Sequence, residues 1–158
     1  MKSSQQLLRL AVPSVVGAIL IEVIISVAAR WPYQFGGHGN RHHVLSEFVS
    51  SGGTALAPPL VLLIVLALIA VAVQRTDRWR TAATVLLIPV AAIMTVGAAG
   101  EAAAKSTPDV PRAVLIAGGL FGILLSVSLF GLAVTALTTR RARHRVAVPR
   151  GQHVPVGQ

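Results

Sequence analysis

Two places in this sequence carry residues that could do chemistry. The first is G36-G-H-G-N-R-H-H-V-L-S-E-F48, where three of the chain's five histidines and one of its five acids fall within thirteen positions. If residues 40–50 form a helix, His43 and Glu47 stand at i and i+4 and share a face, with His42 about 100° round beside Ser46. His38 precedes them on a glycine-rich backbone that can fold back. His38, His42, His43 and Glu47 make a legitimate ligand set for zinc or another transition metal, and exposed imidazoles are also groups that can sense pH. The spacing H-x3-H-H-x3-E nevertheless lacks the H-E-x-x-H order in which the glutamate serves as base. Glycines flanking His38 also make its position entropically costly to fix. The stretch reads first as a polar loop.

The second place is Glu22, the one charged residue among the twenty between Arg9 and Arg30. A charged acid at the centre of a membrane-crossing helix costs about 2.5–3.5 kcal/mol on insertion scales. No Lys or Arg lies inside any apolar stretch to offset that cost. Glu22 is therefore expected to face neighbouring helices or a water-filled cavity. Ser26, one turn on, lies on the same face and can share its hydrogen bonds; Thr95 is expected at comparable depth on another helix. Such a carboxyl either relays a proton or cation, or contacts a ligand, or locks helix packing through hydrogen bonds. Glu101, at an outer helix boundary, could line a vestibule above Glu22 with Glu47 and the histidines.

Other chemistries are excluded by composition. The chain has no cysteine, so thiol nucleophiles, disulfides and Cys-based metal or iron–sulfur sites are absent. No histidine lies in an apolar stretch to ligate a haem between helices. There is no phosphate-binding loop, nucleophile elbow or dinucleotide fingerprint. No cofactor and no enzymatic activity are expected.

The elements that must position these residues follow from hydropathy. The chain is 54% hydrophobic and 12% charged, with mean hydropathy +0.72; a soluble domain is about 45–50% apolar and about 25% charged. Residues 10–29 carry one charge, and 48–74, 81–100 and 113–139 carry none. About 20 helical residues cross a hydrocarbon core, and lipid offers the backbone no hydrogen-bond partner, which enforces helix. The pattern predicts an all-α integral membrane protein. Its core is a four-transmembrane-helix bundle with helices at about 8–29, 54–74, 81–101 and 113–138. The bundle forms one domain over 1–145, and Pro and Gly leave 146–158 as a disordered basic tail. A cleaved signal peptide ending at S26-V-A28 is the rival for the first segment.

The long first outer loop is expected to hold a short interfacial helix. Val44, Leu45, Phe48 and Val49 form its apolar stripe, Asn40 caps it, and Gly52-Gly53 end it. Pro58-Pro59 sit in the opening turns of the second span, and Pro89 kinks the third. Gly118, Gly122 and Ser126 form a small-residue stripe for close helix packing, or alternatively a homodimer face.

Charge placement supplies orientation. Ten Lys/Arg (Lys2, Arg9, Arg75, Arg78, Arg80 and five in the tail) fall on one side of the four spans, and Arg30, Arg41, Lys105 and Arg112 fall on the other. Basic short loops stay cytoplasmic, which places both termini inside the cell membrane. Arg140, Arg141, Arg143 and Arg145 would contact anionic headgroups at about 1 kcal/mol each. No aromatic residue is interleaved with them for base stacking, so nucleic acid is not the expected partner. Twelve Arg against two Lys, with abundant Ala and Val, points to a GC-rich bacterial genome. The reading that follows is a small non-enzymatic accessory or interaction subunit of the membrane, partnered by lipid, by another membrane protein or by its own copies. The alternatives are a proton- or cation-coupled transport module built on Glu22 and a metal-binding outer-loop protein.

Overall fold

A computed structural model describes residues 3–34, 39–50, 52–75, 77–105 and 109–146, without the side chains of Ser3, Asp77 and 140–146. Among these residues the chain is all-helical, with no strand. It has five helices: α1 (Ser3–Ala29), α2 (Val44–Ser50), α3 (Leu60–Gln74), α4 (Asp77–Ala103) and α5 (Arg112–Val146). Three of them hold segments long and apolar enough to cross a membrane: Ser4–Ala29, Arg78–Ala103 and Arg112–Thr139. The fourth long apolar stretch is only 15 residues of helix, roughly 22 Å at the helical rise.

That shortening departs from the expected helix at 54–74 and has a local cause. Pro58 and Pro59 lack the N–H a helix needs, and each disfavours helical geometry in the residue before it. The helix begins only after Pro59, which occupies its N-cap. Residues 54–57 instead close on themselves. The Thr54 N–H donates to the Ala57 carbonyl at 2.8 Å, and the Ala57 N–H donates to the Thr54 hydroxyl oxygen at 3.0 Å. Gly53 enters this turn at φ +83, where a Cβ would strike the Ala57 carbonyl. The Ala55 N–H donates outward, to the Trp31 carbonyl at 3.4 Å.

The apolar helices pack side by side: α1 against α3 and α5, and α4 against α3 and α5, with α4·α5 the most extensive pair. The main core runs through Leu8, Val12, Ile19, Leu66, Val73, Leu87, Ala91 and Leu129. Outside it, Leu10, Ile24, Leu68 and Leu124 project from the bundle, as they would into lipid tails. Pro13, inside α1, cannot donate to the carbonyl four residues back, that of Arg9. The Gln74 side-chain amide of α3 donates to that carbonyl at 2.7 Å, so the proline gap becomes an interhelical tie.

The α4–α5 seam rests on small residues. A Cβ at Gly119 would lie 2.7 Å from the Ala98 carbonyl oxygen, and one at Gly122 2.9 Å from the Ala98 Cβ. Gly122 and Ser126 therefore serve this seam within one chain. Gly118 faces Leu56 instead, and Gly119, absent from the expected stripe, makes the tightest approach. Helix α5 continues past residue 138 to Val146 and carries Arg140, Arg141, Arg143 and Arg145 along its extension; their side chains lie outside the described residues. S26-V-A28 forms part of the last turns of α1.

The α1 exit caps one end of the bundle. Arg30 adopts φ 54, the Trp31 N–H donates to the Ser26 carbonyl at 2.8 Å, and the Arg30 N–H donates to Val27 at 3.2 Å. This is the paired closure of a Schellman motif, with arginine where glycine is usual. Trp31 then packs with Ala55, Val110 and Leu115 in a second small core. Helix α2 docks beside it. Val44 and Phe48 are buried and Leu45 and Val49 exposed, so the expected four-residue stripe divides between the protein core and the outer surface.

Candidate functional site

A cavity of about 490 Å³ lies in the half of the bundle that α2 covers, with walls from α1, α3, α4, α5 and the 54–59 segment. Its origin can be traced residue by residue. Where a full-length α3 would run, the chain turns through Thr54–Pro59. The facing positions are Gly97 and Ala98 on α4 and Gly118, Gly119 and Gly122 on α5, which supply little side-chain volume. At Gly97 a Cβ would meet nothing within 4 Å. The walls are almost wholly apolar. They include Ile93 and Val96, 57% and 64% exposed on the periphery of α4, so the cavity reaches the lateral surface of the bundle.

Two acids interrupt the apolar lining: Glu22 from α1 and Glu101 from α4. At the helical rise Glu22 sits about 10 Å below the end of its helix and Glu101 about 3 Å below the end of α4. Glu101 is 8% exposed, and its Oε1 accepts the Gln34 backbone N–H at 3.1 Å. This bond ties the loop after α1 to α4. Tyr33, next to that bond, also lines the cavity. Burial, and after it the Glu101 charge, push the Tyr33 phenol above its ordinary value, so it is a proton donor at neutral pH. Glu22 is half-buried, and among the described residues its carboxyl has neither a hydrogen bond nor an ion pair. No Lys or Arg lines the cavity.

The partners expected for Glu22 lie elsewhere. Ser26 is fully buried, with its hydroxyl unpaired among the described residues, and does not line the cavity. Thr95 lies at the α4–α5 seam, its hydroxyl 2.8 Å from Ser126 Oγ, and the Ser126 hydroxyl is 2.8 Å from the Gly122 carbonyl. Donation from Thr95 to Ser126 and from Ser126 to Gly122 uses both protons within the helix pair. Thr95 and Ser126 are packing residues here.

The described part of the histidine stretch forms the turn before α2. Helix α2 starts at Val44, later than the expected position 40, so His42 and His43 precede it. The Asn40 side-chain oxygen accepts the His42 N–H at 2.9 Å, and the Asn40 carbonyl accepts the His43 N–H at 2.8 Å. Glu47 turns back to accept the Asn40 N–H at 2.7 Å. The Gly52 N–H closes the far end on the Glu47 carbonyl at 3.0 Å. Glu47 thus holds the turn before α2, and both histidines are exposed. Among the described residues no three His, Cys, Asp or Glu side chains converge as metal ligands; His38 lies outside them. Of the expected outer vestibule, Glu101 joins Glu22 at the cavity, whereas Glu47, His42 and His43 do not.

Gly119 and the 54–57 turn escaped the sequence reading, and Tyr33 and Gly97, legible there as an interfacial aromatic and a packing glycine, were not expected at a cavity. Gly53 followed by Pro58-Pro59 was the available signal for the turn, since that spacing leaves no room for a helix to start earlier. Compared with family models, curated proteins and solved structures, the chain matches none.

Proposed function

We propose that this is a small multi-pass membrane protein working as a cation- or proton-coupled binding and transport module centred on Glu22. One observation carries the reading: an intramembrane carboxyl without a partner among the described residues lines a cavity of about 490 Å³. A carboxyl kept only to lock packing would be expected to hydrogen-bond across a helix seam, as Thr95 does. The reading takes α3 together with 54–59 as a fourth crossing, with α2 at the membrane surface on Leu45 and Val49. It places both termini, and the basic residues near them, on the cytoplasmic side. Four crossings fit the parallel direction of α1 and α4 and the shared end of their acids. The cavity favours this reading over an accessory subunit without a ligand.

Purified protein in proteoliposomes tests the reading. Glu22-dependent movement of protons or of a monovalent cation is the expected result, lost in Glu22→Gln at unchanged protein orientation and amount. Equal flux in the two proteins rejects Glu22 as the coupling group.

A further inference from the structure

We infer that the cavity takes a hydrophobic organic cation, entering sideways from the bilayer, with the Glu22 carboxylate as its counter-ion. The inference rests on the cavity being the functional site and names what it binds.

Size is the first argument. A space of about 490 Å³ lies in the range of about 300–1,000 Å³ typical of sites for drug-sized molecules. A bare inorganic cation is far smaller and needs a shell of oxygen ligands, six or more for calcium and an octahedral set for magnesium. These walls offer two carboxylates, one of them already engaged by the Gln34 N–H. Hydrocarbon or aromatic substituents are what the rest of the lining can contact.

Charge is the second argument. Among the described residues the lining contains acids and no Lys or Arg, so it offers an anionic ligand no opposite charge. A neutral one could at most hydrogen-bond Glu22 and would leave its charge uncompensated. A cation supplies the missing partner in a low-dielectric site, where such a pair forms a strong charge-assisted contact. Glu101 and the Tyr33 phenol stand at the same cavity, but the loop amide holds Glu101, which leaves Glu22 as the available acceptor.

Access is the third. Ile93 and Val96 line the cavity and are also exposed on the outer side of α4. They mark an apolar mouth facing the lipid. A molecule that partitions into the membrane reaches Glu22 through it without crossing the polar cap formed by Trp31, Tyr33 and α2.

The test is equilibrium dialysis of full-length protein in lipid nanodiscs against tetraphenylphosphonium and tetraphenylborate, ions matched in shape and opposite in charge, with empty nanodiscs as background. Wild type, Glu22→Gln, Glu22→Asp and Gly97→Phe are compared after each is shown to be monodisperse and folded. A Cβ at Gly97 meets nothing within 4 Å and Gly97 lines the cavity, so phenylalanine there is the variant chosen to occupy it. The expected result is saturable binding of the phosphonium alone. Glu22→Gln should weaken it about tenfold to a hundredfold, the loss of one Coulomb pair in a low-dielectric site. Glu22→Asp should retain part of it, and Gly97→Phe should abolish it. If both ions bind wild type equally, or Glu22→Gln binds the phosphonium as wild type does, while Gly97→Phe still blocks, the cavity stands as a site and the cation assignment falls. If neither ion binds saturably while Glu22-dependent inorganic cation or proton flux persists, the organic ligand class is overturned and the transport reading stands. Phosphonium binding unaffected by Gly97→Phe overturns the cavity itself as the site.

Discussion

The same substitution, glycine to alanine, should have opposite effects at Gly119 and Gly131, and the difference isolates the α4–α5 contact on which the cavity floor is built. Both glycines are in α5. Alanine is favoured over glycine in a helix interior by about 1 kcal/mol, a gain available at either position and therefore cancelling between them. The surroundings do not cancel. A Cβ at Gly131 meets nothing within 4 Å, whereas one at Gly119 would lie 2.7 Å from the Ala98 carbonyl oxygen and 2.9 Å from the Ala102 nitrogen. Those neighbours are backbone and cannot swing aside, so the helices must separate. Overpacking of this kind costs about 1–3 kcal/mol. Separation would also stretch the Thr95–Ser126 contact, now 2.8 Å, a type of membrane hydrogen bond worth about 0.6 kcal/mol on average. Gly131→Ala should therefore match or exceed wild-type stability, and Gly119→Ala should fall below Gly131→Ala by about 1–3 kcal/mol. Reversible denaturation in mixed micelles, followed by helical circular dichroism, measures both. Equal stability of the two variants would refute the claim that α4 and α5 meet backbone to backbone at Gly119.

Two other outcomes follow from the cap. Arg30 holds φ 54 at the end of α1, a left-handed conformation that costs a side chain about 1–2 kcal/mol and glycine nearly nothing. Arg30→Gly should stabilise the protein by about 1 kcal/mol in the same assay, and a loss of stability would show that the arginine side chain has a tie stronger than its strain. Tyr33 is the chain's single tyrosine, so ultraviolet phenolate absorbance reports it alone. It should ionise above its ordinary value of 10.0, and Glu101→Gln should move it only partway back, because burial is the larger cause and the Glu101 charge the smaller. Its raised value means the fold binds this proton more tightly than the unfolded chain does. The associated stability is present below pH about 10 and is lost as pH climbs from there through the folded-state value. A Tyr33 titration at the ordinary value in wild type would contradict its placement beside Glu101.

Much of the fold was legible because lipid leaves the backbone few choices. Long apolar runs with at most one charge made helices of α1, α4 and α5, since hydropathy and hydrogen-bond satisfaction demand the same structure there, although the helices run past the expected limits, α5 by eight residues. The apolar run at 48–74 broke that agreement. Hydropathy made it a full span, while Gly53, Pro58 and Pro59 forbade helix in its first part, and the backbone rule prevailed: the helix starts at Leu60. Length alone therefore misplaced the one boundary that shapes the site. The α2 stripe failed for a related reason. Val44, Leu45, Phe48 and Val49 have helical spacing, but spacing cannot say which of them the protein buries, and it buries Val44 and Phe48 while leaving Leu45 and Val49 exposed.

The site was legible only in its rarest residue. Glu22 stands out because an uncompensated acid in an apolar run is costly, and no contact is needed to see that. Glu101 sits at a helix end where acids are common, and Tyr33 sits in a loop, so neither carries a comparable signal by itself. A cavity is harder still to read, because it is made of volume that several elements fail to supply. Gly97, Ala98, Gly118, Gly119 and Gly122 look in sequence like residues for tight helix contact. Gly119 and Gly122 do serve that purpose against Ala98, but beside a shortened α3 the same small residues leave space on their other side. What converts a packing stripe into a pocket is the pair Pro58-Pro59 just before α3. A carboxyl without a partner, glycines opposite it and a proline stop that shortens the intervening helix are each ordinary alone. Their coincidence beside one cavity is what the proposed cation site rests on, and it would be removed by restoring the missing helical turns as surely as by neutralising Glu22.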